Sequence, residues 1–331
     1  MKKGILLIAC GIMMVMLYGC KDGKPSDNMS DSERLELLDL QIDRHPKDAS
    51  LLAERAQVLL NLNRTREALY DINRAVSLKP EEIDYRLLQA DAYFASGDIE
   101  NSYKSLTDAE QIDPNSQEVQ LKMGEITFYG RDYDRSLKCL SNVTAKDPNN
   151  RTALFMKGFI YKEKGDTAEA VQLLNKVCTL YPDYAPAFEE LGILYATRKD
   201  PMALEYLSTA LRLEPTNTNS MYALAMFHQE REEYAEAVTI YRQMIDVNAS
   251  STDAWHNLGY INLFVYGDYE EAVRCFDKAI EADANYIEAY VNRGCAYELQ
   301  GQKAKAKADF ETALSIDSDY APAQDGLKRI G

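Results

Sequence analysis

The sequence predicts an all-α chain built as a solenoid from one repeated unit, and three observations carry that expectation. Breaks at Pro46, Pro80, Pro114, Pro148, Pro182 and Pro215 fall 34, 34, 34, 34 and 33 residues apart. An apolar run with helical spacing leads up to each break, and inside each unit a small residue recurs at a fixed offset. Gly (16) and Pro (10) are scarce for 331 residues, which argues against a loop-rich all-β chain. Hydrophobic residues make up 46% of the chain, enough for a sizeable core. Length alone would suggest two globular domains at about 150 residues each, but the repeats point to one continuous array.

Residues 1–19 are set apart before any folding argument. Lys2 and Lys3 precede an apolar stretch from Ile5 to Tyr18. As a helix that stretch reaches roughly 21 Å, short of the ~30 Å hydrocarbon core of a bilayer. It therefore reads as a cleaved signal peptide. The segment Leu17-Tyr18-Gly19-Cys20 resembles the lipobox of bacterial lipoproteins, in which cleavage precedes a Cys that carries lipid. That resemblance implies a lipidated Cys20, although Tyr18 is bulkier than the pattern usually shows. Residues 20–30 then form a polar, Gly- and Pro-containing tether.

From residue 49 the chain divides into eight units, 49–82, 83–116, 117–150, 151–184, 185–217, 218–251, 252–286 and 287–320. Their eighth positions are Ala56, Ala90, Gly124, Gly158, Gly192, Ala225, Gly259 and Gly294. Small residues there let two helices touch, and large residues at the fourth, eleventh and twenty-fourth positions fill the space around the contact. Trp255, Leu258, Gly259, Ala272, Phe276 and Ala279 mark one unit, and Tyr290, Gly294, Tyr297, Ala306, Phe310 and Ala313 the next. With its 34-residue period this pattern resembles the tetratricopeptide repeat (TPR), a helix–turn–helix pair. The resemblance covers nearly all of the chain beyond the tether. It implies a right-handed superhelical solenoid of about eight TPR units around a concave groove. Residues 31–48 are expected to cap its N-terminal end and residues 321–331 its C-terminal end, since terminal units otherwise expose apolar surface.

Local signals fit helix pairs. Gly97-Asp98, Gly165-Asp166 and Gly267-Asp268 each place Gly at a helix end and Asp as the next N-cap. Asp166 with Glu169, and Asp268 with Glu271, have capping-box spacing. The fifth unit is one residue short at Asp200-Pro201, and the seventh is one long at Phe264-Val265-Tyr266-Gly267. Both changes fall at the turn, where length is cheap.

No catalytic constellation, cofactor motif or metal set is read from the sequence, so no enzymatic activity is expected. His45, His228 and His256 have no H-E-x-x-H or Cys/His ligand spacing. His45 is expected in a solvated loop, His228 in or near the core, and His256 on the groove face. Cys139, Cys178, Cys275 and Cys295 read as buried free thiols, with a disulfide left open because sequence cannot pair them. Lys303, Lys305 and Lys307 read as a solvated helix face.

Function would be read from the groove. In TPR proteins the first helix of each pair lines it through the second, fifth, ninth and twelfth positions. Early units place small or acidic residues there, among them Ala53, Asp91, Glu118 and Glu125. Later units place Phe155, Phe159, Ile193, Tyr222, Met226, His256, Tyr260 and Leu263, and these eight are the expected partner-binding residues. The lysine and asparagine pattern of the carboxylate-clamp subgroup is absent. The net charge is −16, from 37 basic and 53 acidic residues, which disfavours nucleic acid as a partner. Units 218–251 and 252–286 carry −3 and −5, whereas 117–150 and 151–184 carry 0 and +1. An aromatic groove with acidic walls favours an apolar protein segment bearing Lys or Arg. The expectation is a lipid-anchored protein–protein interaction scaffold of the bacterial cell envelope. The alternative is a surface glycan- or nutrient-binding lipoprotein. Partner, membrane leaflet and oligomeric state are left open.

Overall fold

The computed structural model describes residues 29–331, and the expected signal peptide, Cys20 and most of the tether lie outside the described residues. Every regular element among the described residues is a helix. In order these are α1 (Asp31–Arg44), α2 (Ala49–Asn61), α3 (Thr65–Leu78), α4 (Ile83–Ala95), α5 (Ile99–Ile112), α6 (Gln117–Tyr129), α7 (Tyr133–Lys146) and α8 (Arg151–Lys164). Then come α9 (Thr167–Leu180), α10 (Ala185–Thr197), α11 (Met202–Leu213), α12 (Thr218–Glu230), α13 (Tyr234–Val247) and α14 (Thr252–Ile261). The chain ends with α15 (Tyr269–Ala282), α16 (Ile287–Leu299), α17 (Lys303–Ile316) and α18 (Ala321–Ile330). The six prolines that mark the period all lie in the turns between pairs. The chain divides between Lys164 and Gly165 into two compact parts, at the turn inside the repeat 151–184.

Helix ends follow from local chemistry. Ser30 and Glu33 form a complete capping box at the start of α1. Asp48, Asp98, Ser116, Asp132, Asn217 and Asp268 accept hydrogen bonds from backbone N–H groups in the first turns that follow them. Asp166 departs from the expectation: its side chain makes no capping bond. Instead the Thr167 N–H and hydroxyl both donate to the Gly165 carbonyl, so the turn is closed one residue later. Gly97, Gly165 and Gly267 sit at φ +81°, +84° and +67°, the left-handed region that ends a helix without a Cβ penalty.

The close approach at the eighth position is visible where that residue is Gly. A Cβ on Gly259 would fall 2.6 Å from Cε1 of Phe276, and one on Gly294 2.7 Å from Cε1 of Phe310. The second ring is clasped from both sides, because a Cβ on Gly326 of α18 would also lie 2.6 Å from Phe310. Phe276 and Phe310 are fully buried, so the last helix docks on the same ring that holds its neighbours together.

The seventh position shows how the array changes along its length. In the repeats 117–150 and 252–286 it is apolar and packs on a thiol, with Met123 over Cys139 and Leu258 over Cys275. In the repeat at either end it is an arginine. Arg55 donates two hydrogen bonds to buried Asp71, at 2.7 and 2.8 Å, and a third at 2.7 Å to Asp39 of the preceding helix. Arg293 repeats the arrangement, with 2.8 and 2.6 Å to buried Asp309 and 2.5 Å to Asp277. In the repeat 83–116 a neutral version links Gln89 to Ser105 and Asn73. One residue thus ties three helices, and the bidentate Arg–carboxylate geometry fixes their register.

Candidate partner-binding faces

The first helices of the repeats 49–82, 83–116, 117–150 and 151–184 are α2, α4, α6 and α8. Of the residues expected to face a partner here, Phe155 and Phe159 are buried, at 2% and 8% exposure. Phe159 packs edge-on against Phe128 of α6 at 5.5 Å between centroids, and the Lys162 ammonium lies 4.2 Å over its ring. Phe128 in turn contacts Tyr129 and Tyr133, and Tyr129 contacts Phe94. These rings join α4, α6, α7 and α8 as packing, and neither Phe155 nor Phe159 offers an open surface. Between α6 and α4, Lys122 donates to both oxygens of Asp91 at 2.7 and 2.8 Å. Burial pushes the Glu125 carboxyl up to about 7, against the pull of the neighbouring Lys122 charge.

In the part beginning at Gly165 the first helices are α10, α12, α14 and α16. Ile193 is half-buried against Ala203, Leu207, Leu224 and Phe227. Tyr222 and Met226 are half-buried over the core of α13 and α14, where the Tyr241 hydroxyl contacts the Met226 sulfur at 3.2 Å. Leu263 is buried among α15 and α16 residues. Tyr260 alone of the eight is exposed, and its ring packs on Phe264 at 4.7 Å.

His256 is where the face becomes chemically specific. Its ring lies edge-on to Tyr286 at 5.1 Å and 5.8 Å from Phe276, and its Nε2 pairs with the Asn292 side-chain amide at 2.9 Å. If the amide NH₂ donates there, the imidazole is neutral with its proton on Nδ1. Burial holds its pKa below the usual histidine range, opposed by the charges of Glu288 and Asp253. Burial likewise raises the Tyr222 phenol, with Asp253 adding to the effect. The Tyr286 hydroxyl donates to Asp253 at 3.4 Å. Tyr222, Asp253, His256, Tyr286 and Asn292 therefore form one aromatic and polar face contributed by three consecutive repeats.

Sequence reasoning found Tyr222 and His256 of this group and missed Asp253, Tyr286 and Asn292. Asn292 occupies a sixth position, a register outside the four read for the groove, and Asp253 a second position read only in the early repeats. Tyr286 closes the repeat before α16, where no groove residue was sought. Elsewhere, His45 is exposed and His228 bonds through Nδ1 to Glu233 at 2.7 Å. Trp255 packs against two core clusters, and its Nε1 donates to the Ala249 carbonyl at 2.9 Å. Cys139, Cys178 and Cys275 are buried free thiols, and Cys295 is half-buried and free. Lys303 and Lys305 contact the Ile330 carbonyl and the Tyr297 ring, so that helix face is partly engaged within the chain. No group of His, Cys, Asp or Glu among the described residues is arranged to hold a metal ion.

The comparisons with known proteins agree with this architecture. Tetratricopeptide repeat models match residues 42–116 and 121–185, 218–249 and 287–320, and a TPR repeat model matches 264–301. The chain is similar to anaphase-promoting complex subunit 3 of Schizosaccharomyces pombe, 28% identical over 127 residues, which is 38% of this chain and 19% of that protein. The match thus spans about a fifth of that relative's length. Among solved structures, the C-terminal part of a TPR repeat-containing protein from Cytophaga hutchinsonii aligns with TM-score 0.61 and 18% identity, covering 74% of this chain and 99% of that one. A chain of the APC/C hetero-tetramer Cut9–Hcn1 aligns with TM-score 0.55 and 17% identity, covering 92% and 60%. At those identities the structures share the fold. With repeat models distributed from residue 42 to residue 320 and helix pairs at the same period, the chain belongs to the tetratricopeptide repeat family.

Proposed function

We propose that this protein is a lipid-anchored adaptor of the bacterial cell envelope that holds a segment of a partner protein on the first-helix face of its later repeats. TPR proteins are protein-interaction scaffolds, and the single observation that carries the reading here is the Tyr222–Asp253–His256–Tyr286–Asn292 face. It combines aromatic rings, amides and a carboxylate on helices whose opposite sides are consumed by packing. Such a face suits an extended or helical segment that offers apolar side chains and a cationic group to Asp253 and Glu288. The membrane anchor is supported by Lys2, Lys3, the apolar run Ile5–Tyr18 and Leu17-Tyr18-Gly19-Cys20.

The test has two arms. Crosslinked capture from native envelopes is compared between wild type and a His256→Ala/Asn292→Ala variant. Partners recovered by wild type and lost from the variant, at unchanged circular dichroism, support the face as the binding site. An identical set from both places binding elsewhere. Separately, radiolabelled fatty acid should enter wild type and not Cys20→Ser, and equal labelling of both removes the anchor from the proposal.

A further inference from the structure

The repeat 252–286 contains one residue more than its neighbours, and the structure shows where that residue goes. After Ile261 the helix widens into a π-turn over Asn262–Tyr266, closed by Gly267 at φ +67°. The N–H groups of Gly267 and Asp268 both reach back to the Asn262 carbonyl, the latter at 2.9 Å. The Asn262 side-chain amide donates to the Leu258 carbonyl at 2.9 Å, occupying an acceptor that the widened turn changes. The extra residue keeps Leu263 in the core and turns the next three side chains outward.

The result is an apolar projection. Tyr260, Phe264, Val265 and Tyr266 are 40%, 53%, 38% and 52% exposed, and the rings of the first two meet at a tilt. The corresponding turn of the preceding repeat is polar, Glu230-Arg231-Glu232-Glu233, and that of the following repeat exposes a single large apolar side chain, Leu299, ahead of Gln300-Gly301-Gln302. The same turn is thus made with no exposed apolar residue in one neighbour and with one in the other, so neither the turn nor the core requires a run of three. π-turns are rare and concentrate at functional sites, and four contiguous large apolar side chains in water form the kind of patch that a partner covers.

We infer that this π-turn is a second docking surface, separate from the His256 face, and that its occupant is a partner-protein segment carrying apolar side chains flanked by Lys or Arg. The charge around the projection selects that occupant. Asp268 and Glu270 follow Tyr266 within four residues and are exposed, and Glu270 has no ion-pair partner among the described residues. The surrounding repeat carries −5 and the chain −16. A second copy of this chain, or a bilayer rich in anionic lipid, would bring like charge against these carboxylates, whereas a basic segment is drawn to them. Its cations can also lie over the exposed Tyr and Phe faces.

The experiment uses the full chain in phosphatidylcholine nanodiscs and a fluorescent peptide in which leucine pairs alternate with arginines. Anisotropy should show binding that weakens at least tenfold in Phe264→Ser/Tyr266→Ser and severalfold in Glu270→Lys. All titrations are made in the His256→Ala/Asn292→Ala background, which removes the face proposed above as a competing site and so separates the two surfaces. Hydrogen exchange should show protection on binding confined to peptides spanning 258–270. Because the replaced side chains are half in water, the melting curve of the serine variant should match wild type. Absence of binding, or binding unchanged in Phe264→Ser/Tyr266→Ser, overturns the inference. So does a concentration-dependent dimer in sedimentation that the serine variant abolishes, which would make a second copy the occupant. Flotation with anionic vesicles that depends on the same two residues would overturn it in favour of lipid.

Discussion

The Arg293–Asp309 clasp makes a quantitative prediction because the molecule contains its own apolar replacement. Asp309 is 5% exposed and accepts two hydrogen bonds from Arg293, which donates a third to the more open Asp277. Breaking a buried pair by removing one partner costs about 3–5 kcal/mol. Here Arg293 keeps Asp277 as a partner, so Asp309→Ala should cost about 2–4 kcal/mol. Arg293→Leu alone should cost at least as much, since it strands the buried carboxylate. One repeat earlier the same two positions hold Leu258 and Cys275, packed together in the core. The double variant Arg293→Leu/Asp309→Cys should therefore lie within about 1 kcal/mol of wild type, releasing only an exposed Asp277. Urea unfolding followed by far-ultraviolet circular dichroism, with Asp309→Cys as the second single variant, gives the four corners of the cycle. Hydrogen exchange should locate the loss in the single variants to α16–α18, because repeat arrays open from their ends. A cost below about 1 kcal/mol for Asp309→Ala, or a double variant as unstable as the two singles summed, would refute the reasoning.

Three further outcomes are expected. Gly259→Ala should destabilise by about 1–2 kcal/mol, the overpacking against Phe276 exceeding the gain in helix propensity, whereas Gly130→Ala, whose Cβ would meet only backbone oxygens at 3.5 and 3.6 Å, should be close to neutral; thermal melts compare them. Glu125→Gln tests a half-buried acid: folding raises this carboxyl from 4.5 to about 7, so the stability its neutral form contributes is complete below pH 4.5 and lost as pH rises through 7. The Gln variant should accordingly gain up to about 3 kcal/mol over wild type at pH 8 and nothing at pH 4.5, read by urea titration at both values. Burial pushes the Cys178 and Cys275 thiols up to about 12, so iodoacetamide at pH 8 should label them only after denaturant is added, as peptide mass spectrometry would show.

The parts of this protein that were legible in the sequence are those set by neighbours at fixed offsets. Helix ends at Asp98 and Asp268, left-handed glycines at 97, 165 and 267, and the small eighth residue facing the large twenty-fourth all depend on contacts inside one repeat. Because those contacts recur with the period, counting residues was enough to place sixteen helices in eight pairs. Even the one-residue insertion at 264–267 was visible, although not the form it takes.

What the sequence left undecided is the fate of residues that share a register. Phe159, Ile193, Met226 and Tyr260 all occupy ninth positions, and the sequence treats them alike. In the structure Phe159 is covered by Phe128 and Lys162, Ile193 and Met226 are half-covered, and Tyr260 stands in water beside Phe264. The cover comes from helices about one repeat away in the chain and from the path of the following turn. A residue's repeat position fixes the direction in which its side chain points. Whether something already lies in that direction is a property of the neighbouring repeat, and only the folded chain brings the two together.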